Sequence, residues 1–95
     1  MQIEFEWDPS KAERNRRKHG VSFEDARSVF YDEDARFMAD PGHDGEDRFL
    51  LLGMSSSSRI LVVCHCWRNA DSTIRIISAR KAAKNEQVQY WERPR

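Results

Sequence analysis

The sequence predicts an α+β domain: an N-terminal strand and two helices, then an antiparallel sheet of three to four strands, then a C-terminal helix. Three observations predict it. Apolar residues alternate with polar ones at the start of the chain. Capping residues and helical spacing fill the next stretch. From Arg48 onward the apolar runs are short, rich in branched residues and divided by polar turns. Ninety-five residues, with no internal repeat and no long linker, form one domain over 1–95.

Ile3, Phe5 and Trp7 alternate with Gln2, Glu4 and Glu6, the pattern of a half-buried strand. Asp8-Pro9 reads as an N-cap followed by proline in the first helical turn, and Gly20 closes that helix after His19. The helix is basic (Lys11, Arg14, Arg16, Arg17, Lys18 against Glu13), with Ala12 its one strongly apolar residue. It is therefore either a solvated helix held by its ends or one that serves a charged partner. Ser22-Phe23-Glu24-Asp25 has the form of a capping box. Phe23, Ala26, Val29 and Phe30 then give a second, amphipathic helix to about Tyr31. Residues 35–39 suit a strand, and 40–45, with a proline and two glycines, a loop. Strands follow at 48–54, 59–67 and 73–78, with turns at 55–58 and 68–72. Ala79 to Trp91 completes the pattern as a final helix.

The formal net charge is zero, yet the halves differ. Residues 1–48 carry a balance of −5 and residues 49–95 a balance of +5. A zero total thus leaves room for a basic face, the footprint of a phosphate-bearing partner. The longest aliphatic run, Ile60 to Val63, is far short of a membrane span, and the N-terminus lacks the basic and apolar regions of a secretory signal. A cytoplasmic protein is expected. Cys64 and Cys66, two apart on a strand, read as reduced core residues; strand alternation puts His65 on the opposite face, so they do not form a metal site with it. Neither a metal nor another cofactor is implied. Glycine-rich phosphate loops, serine elbows and metalloprotease motifs are absent from the sequence.

Several residues can carry chemistry. Lys18-His19, at the end of the first helix, pairs a phosphate-binding cation with a proton-transfer group, or simply serves the last helix carbonyls. Arg75 and Arg80 bracket Ile76 to Ala79. If the strand ends at Ser78, Arg75 shares a face with Ile77, while Ser78 faces the other way. Arg80 then begins the final helix near its positive end. A guanidinium matches phosphate geometry, but either arginine can equally pair with the acidic first half. Glu46 and Arg48 share a face where the loop enters the sheet; Glu46 can act as a base or pair with Arg48. His43 and His65 are expected to be structural or solvated. Tyr31, Tyr90, Trp67 and Trp91 are core or rim residues before they are base-stacking ones. This set of groups suits metal-free RNA cleavage, in which the 2′-hydroxyl loses a proton and attacks phosphorus while cations stabilise the growing charge.

Phe5-Glu6-Trp7-Asp8, Lys11-Ala12, Asn15, the run Lys18 to Ala26, Phe30 and Asp32 resemble the opening pattern of the BrnT family. Gly45-Glu46 with Arg48, Gly53, the run Arg75 to Arg80, Glu86 and Tyr90 resemble the rest of it. The resemblance spans Phe5 to Tyr90 and implies a RelE-like fold. It implies a bacterial type II toxin that cleaves RNA, arrests growth and is neutralised by a BrnA-like antitoxin, with operator DNA bound only through that antitoxin and a toxin dimer within the complex. By position it assigns Lys18, His19, Arg75 and Arg80 to catalysis, with Glu46, Arg48 and Ser78 as substrate-binding residues. Arg75 and Arg80 would bind the scissile phosphate, His19 would transfer the proton and Lys18 would hold a flanking phosphate. The competing expectation is a non-catalytic scaffold or co-repressor that only binds its antitoxin; a plain RNA-binding module is a further one.

Overall fold

The computed structural model describes residues 3–38 and 48–92. Strand β1 spans Glu4–Glu6 and leads into helix α1, Pro9–His19. The Asp8 carboxylate accepts the Ser10 N–H at 2.8 Å, satisfying one of the free donors at the start of α1. Gly20 ends the helix in the left-handed region at φ 70°, its N–H donating to the Arg16 carbonyl at 2.9 Å. Helix α2, Phe23–Ser28, starts where Ser22 Oγ accepts the Asp25 N–H at 3.0 Å. It is shorter than the apolar spacing predicts. Val29–Tyr31 tightens into a 3₁₀ turn, which lets the chain fold back at Asp32.

The remaining elements are β2 (Arg36–Met38), β3 (Phe49–Met54), β4 (Ile60–Arg68), β5 (Thr73–Lys81) and α3 (Lys84–Trp91). The expected loop at 40–45, with Glu46 and His43, lies outside the described residues. The strands form one sheet in the order β1-β5-β4-β3-β2. Strands β2 to β5 are the expected antiparallel meander. The N-terminal strand adds to it as a fifth, parallel member beside β5. A parallel pair needs a crossover, which α1, α2 and the meander supply.

The sheet is covered on both faces. Val21, Phe23, Ala26 and Val29 pack on Leu51, Leu61, Val63, Ile74, Ile76 and Ala79. On the other face Leu52 and Val62 pack with Ala82 and Tyr90 of the C-terminal segment. Trp7 closes the first core edge-on against Phe23, with ring centroids 5.9 Å apart.

Two features of β5 correct the sequence reading. The strand runs on through Ala79, Arg80 and Lys81, so Arg80 lies on a strand, and the last helix begins at Lys84. Helix propensity favours Ala79 to Ala83, but pairing with β4 wins. Lys81 sits opposite Leu61, and the Ala82 N–H donates to the Ile60 carbonyl at 2.9 Å. There is also a bulge. Cys64 lies opposite Ser78 but His65 lies opposite Ile76, so Ile77 is an extra residue. The bulge reverses the expected alternation. Arg75, Ser78 and Arg80 stand across from Cys66, Cys64 and Val62, alternate residues of β4, and so share one face of the sheet.

His65 falls on the opposite face from both cysteines, as alternation requires, and is fully buried. Its ring packs edge-on against Phe30 at 4.8 Å and beside Phe37 and Phe49. Nδ1 lies 3.3 Å from the Val63 carbonyl, and Nε2 has no hydrogen-bond partner among the described residues. Burial holds the His65 pKa below its ordinary value, with the Val63 carbonyl opposing. The neutral ring is therefore the folded form. In the pH range between the lowered folded value and about 6.5, the unfolded chain binds more protons at this site. Its contribution to stability is complete above about 6.5 and is lost as pH falls towards the folded value. Urea titrations across this range should show wild-type stability falling with acid, and His65→Leu should remove part of that fall. Equal pH dependence in both chains would mean that another group dominates.

Candidate functional site

Helix α1 has two charged sides that differ in how they are used. On one, Glu13 holds both Arg16, at 2.6 Å, and Arg17, at 3.2 Å. On the other, Lys11, Arg14 and Lys18 are exposed. They recur at three- and four-residue spacing and so align along the helix. Among the described residues these three cations have no carboxylate partner. They face an open groove of about 300 Å³ whose other lining residues are Asn15, His19, Ile77 and Ser78. The half-buried His19 sits at the end of α1, where Gly20 takes over the capping. Ser78 lines the groove next to Ile77, the bulge residue at the edge of β5. The structure thus brings Lys18, His19 and Ser78 to one place.

The two arginines are placed differently. Arg75 lies beside Glu6 of β1 in the sheet, and its Nη1 contacts the Glu6 carboxylate at 2.8 Å. Both groups are about a third exposed, so solvent screens the pair. One of the five guanidinium donors is engaged in that contact, leaving the rest of the fork to a partner. Arg80 grips Glu86 of α3 with Nη1 and Nη2, at 2.7 and 3.0 Å. The same Glu86 carboxylate accepts the Ala83 N–H at 2.7 Å and so caps α3. Its hydrogen bonds to Arg80 hold the Glu86 carboxyl below the usual carboxylate range, against the opposing effect of burial. Arg80 therefore fastens the end of β5 to α3. Arg48 precedes β3, at the same end of the sheet as Cys66 and Arg75. Glu46 lies outside the described residues.

Asn15 is the residue whose importance composition alone does not reveal. It is buried within an otherwise charged helix. Its Nδ2 donates to the carbonyls of Val21, at 3.0 Å, and Ala79, at 2.8 Å, while Oδ1 accepts the Ala79 N–H at 3.1 Å. The available signal was its place on the Ala12, Asn15, His19 stripe, the side of α1 turned towards the sheet.

Both cysteines are free, Cys64 buried and Cys66 half-buried. Among the described residues no three His, Cys, Asp or Glu side chains gather into a metal-binding group, and no helix is long and apolar enough to cross a membrane. The groove offers aligned cations, an imidazole and a hydroxyl, which suit binding a polyanion and moving a proton beside it.

No curated protein sequence matches the chain. A crystal structure of the Brucella abortus ribonuclease toxin BrnT has the same fold, with a TM-score of 0.67 at 22% sequence identity over 87% of this chain and 100% of that one. Residues 7–86 match the family described as "Ribonuclease toxin, BrnT, of type II toxin-antitoxin system". By that match over most of its length, the chain belongs to the BrnT family of ribonuclease toxins.

Proposed function

We propose that this protein is an endoribonuclease toxin that cleaves RNA without a metal ion, arrests growth and is neutralised by a BrnA-like antitoxin. The observation that carries the reading is the groove in which Lys11, Arg14 and Lys18 of α1, without a carboxylate partner among the described residues, meet His19 and Ser78. The cations hold successive RNA phosphates, with Lys18 on one flanking the scissile bond. His19 takes the 2′-hydroxyl proton or returns a proton to the leaving 5′-oxygen. Negative charge grows on the attacked phosphate, and the remaining donors of Arg75 and Arg80 stabilise it with Ser78. Arg48, with Glu46, takes a flanking role on the substrate.

One observation favours a second reading. Arg75 and Arg80 both hold carboxylates of the same chain, the arrangement expected of a non-catalytic scaffold that binds only its antitoxin. Cleavage decides between them. The purified chain, incubated with total RNA or with translating ribosomes in excess chelator, should fragment the RNA. Expressed alone it should stop growth, and a co-expressed antitoxin should restore it. RNA left intact in both settings would overturn the catalytic reading in favour of the scaffold.

A further inference from the structure

Strand β1 pairs with β5 only from Thr73 to Arg75. Past that point the outer edge of β5 has no strand beside it among the described residues. An uncovered edge leaves backbone donors and acceptors without partners. At Ala79 both are taken by one side chain. Asn15 Oδ1 accepts the Ala79 N–H and Nδ2 donates to the Ala79 carbonyl, which is how the backbone of a neighbouring strand would bind there. The second Nδ2 hydrogen goes to the carbonyl of Val21, just after α1. Both amide donors are thus used, and only one orientation of the carboxamide satisfies all three partners.

The consequence falls on the groove. Asn15 lies between Arg14 and Lys18 on the chain, and Ala79 directly follows Ser78. The clamp therefore joins the two walls of the groove at its floor. We propose that Asn15 is the positioning residue of this site: its carboxamide stands in for a strand at the β5 edge and so fixes Lys18 and His19 against Ser78. This role rests on the ribonuclease reading above. Asn15 touches backbone and not RNA, and it acts by holding the cations in register.

The test uses the neutral substitution Asn15→Ala, which removes no charge. Binding of a short, uncleavable 2′-O-methyl RNA is measured over a range of salt concentrations, per folded molecule, together with the exchange rate of the Ala79 amide. The log of affinity falls with log salt by about 0.7 for each phosphate neutralised on a single strand. If Asn15 sets the register, affinity falls about tenfold, roughly one charge-assisted contact. The salt slope becomes shallower by about 0.7 for each cation that loses its phosphate, and the Ala79 amide exchanges faster. A purely structural role lowers the folded fraction and leaves the slope per folded molecule unchanged. An unchanged slope, or unchanged Ala79 exchange, overturns the proposal while leaving the ribonuclease reading standing. Wild-type protein that binds no RNA, with Lys18→Ala indistinguishable from it, overturns the proposal, and the ribonuclease reading is then decided by the cleavage assay on total RNA and on ribosomes. If the alanine variant does not fold, Asn15→Ser is read by the same criteria, since its hydroxyl is neutral and too short to span all three partners.

Discussion

His19→Ala should slow RNA cleavage by about 10²–10⁴-fold, the span covered by one positioned acid–base group, while lowering the melting temperature by only a few degrees. The separation of these effects follows from how α1 ends. Gly20 closes the helix through its own N–H to Arg16, so the cap does not depend on the imidazole. Ring removal forfeits a favourable interaction with the helix dipole, about 0.3–1 kcal/mol, and the packing of a half-buried side chain. Lys18→Ala should behave differently. Lys18 is exposed on the groove wall, so its loss weakens phosphate binding and raises KM more than it lowers kcat. Steady-state kinetics on one RNA substrate, with melting followed by circular dichroism, separate the two. A His19→Ala variant at full kcat would move proton transfer to another group and remove His19 from the mechanism.

Most of the first half of the fold was readable because its signals are local. Asp8-Pro9, Gly20 and Ser22 act within a turn of where they stand, and each does what its residue type dictates. The β5 region resisted reading because its determinants are distant. Ala79 to Ala83 favour helix by composition, yet β4 claims backbone groups as far as the Ala82 N–H, and Asn15, sixty-four residues earlier, claims those of Ala79. The bulge at Ile77 likewise depends on how β5 meets β4, and it alone puts Arg75, Ser78 and Arg80 on one face. The placement of the candidate site residues was therefore half legible. Lys18 and His19 announced themselves by type and place. The carboxylates that hold Arg75 and Arg80 were visible only as a general excess of acid in the first half for Arg75, whose partner is Glu6; the partner of Arg80, Glu86, sits in the basic half. Partner choice is a property of the sheet's register and of the helix that follows it, and neither has a local sequence signature.

Gly53→Ala should destabilise the protein by about 2–3 kcal/mol, at the upper end of what overpacking costs, and lower its melting temperature by about 10–20 °C for a chain of this size. Gly53 lies buried in β3, opposite Leu61. A Cβ there would stand 2.8 Å from Val29 Cγ1, 2.9 Å from Ala35 Cβ and 3.1 Å from Asp32 Oδ2. None of these can retreat freely. Val29 is in the core. Asp32 Oδ2 accepts the Met54 N–H at 2.8 Å and the Tyr90 hydroxyl at 2.7 Å, tying the 3₁₀ turn to β3 and α3 together. Moving the turn outward to admit a methyl group would stretch these bonds as well as open the core. Gly20→Ala provides the contrast. It meets nothing within 4 Å but must adopt φ +70°, so its cost is conformational, about 1–2 kcal/mol. Urea denaturation of both variants measures the two costs, and cleavage per folded molecule should stay at the wild-type level in Gly53→Ala, because β3 lies two strands from β5. A Gly53→Ala melt within a few degrees of wild type would mean that the 3₁₀ turn moves off β3 easily, and that the Asp32 bonds do not hold it there.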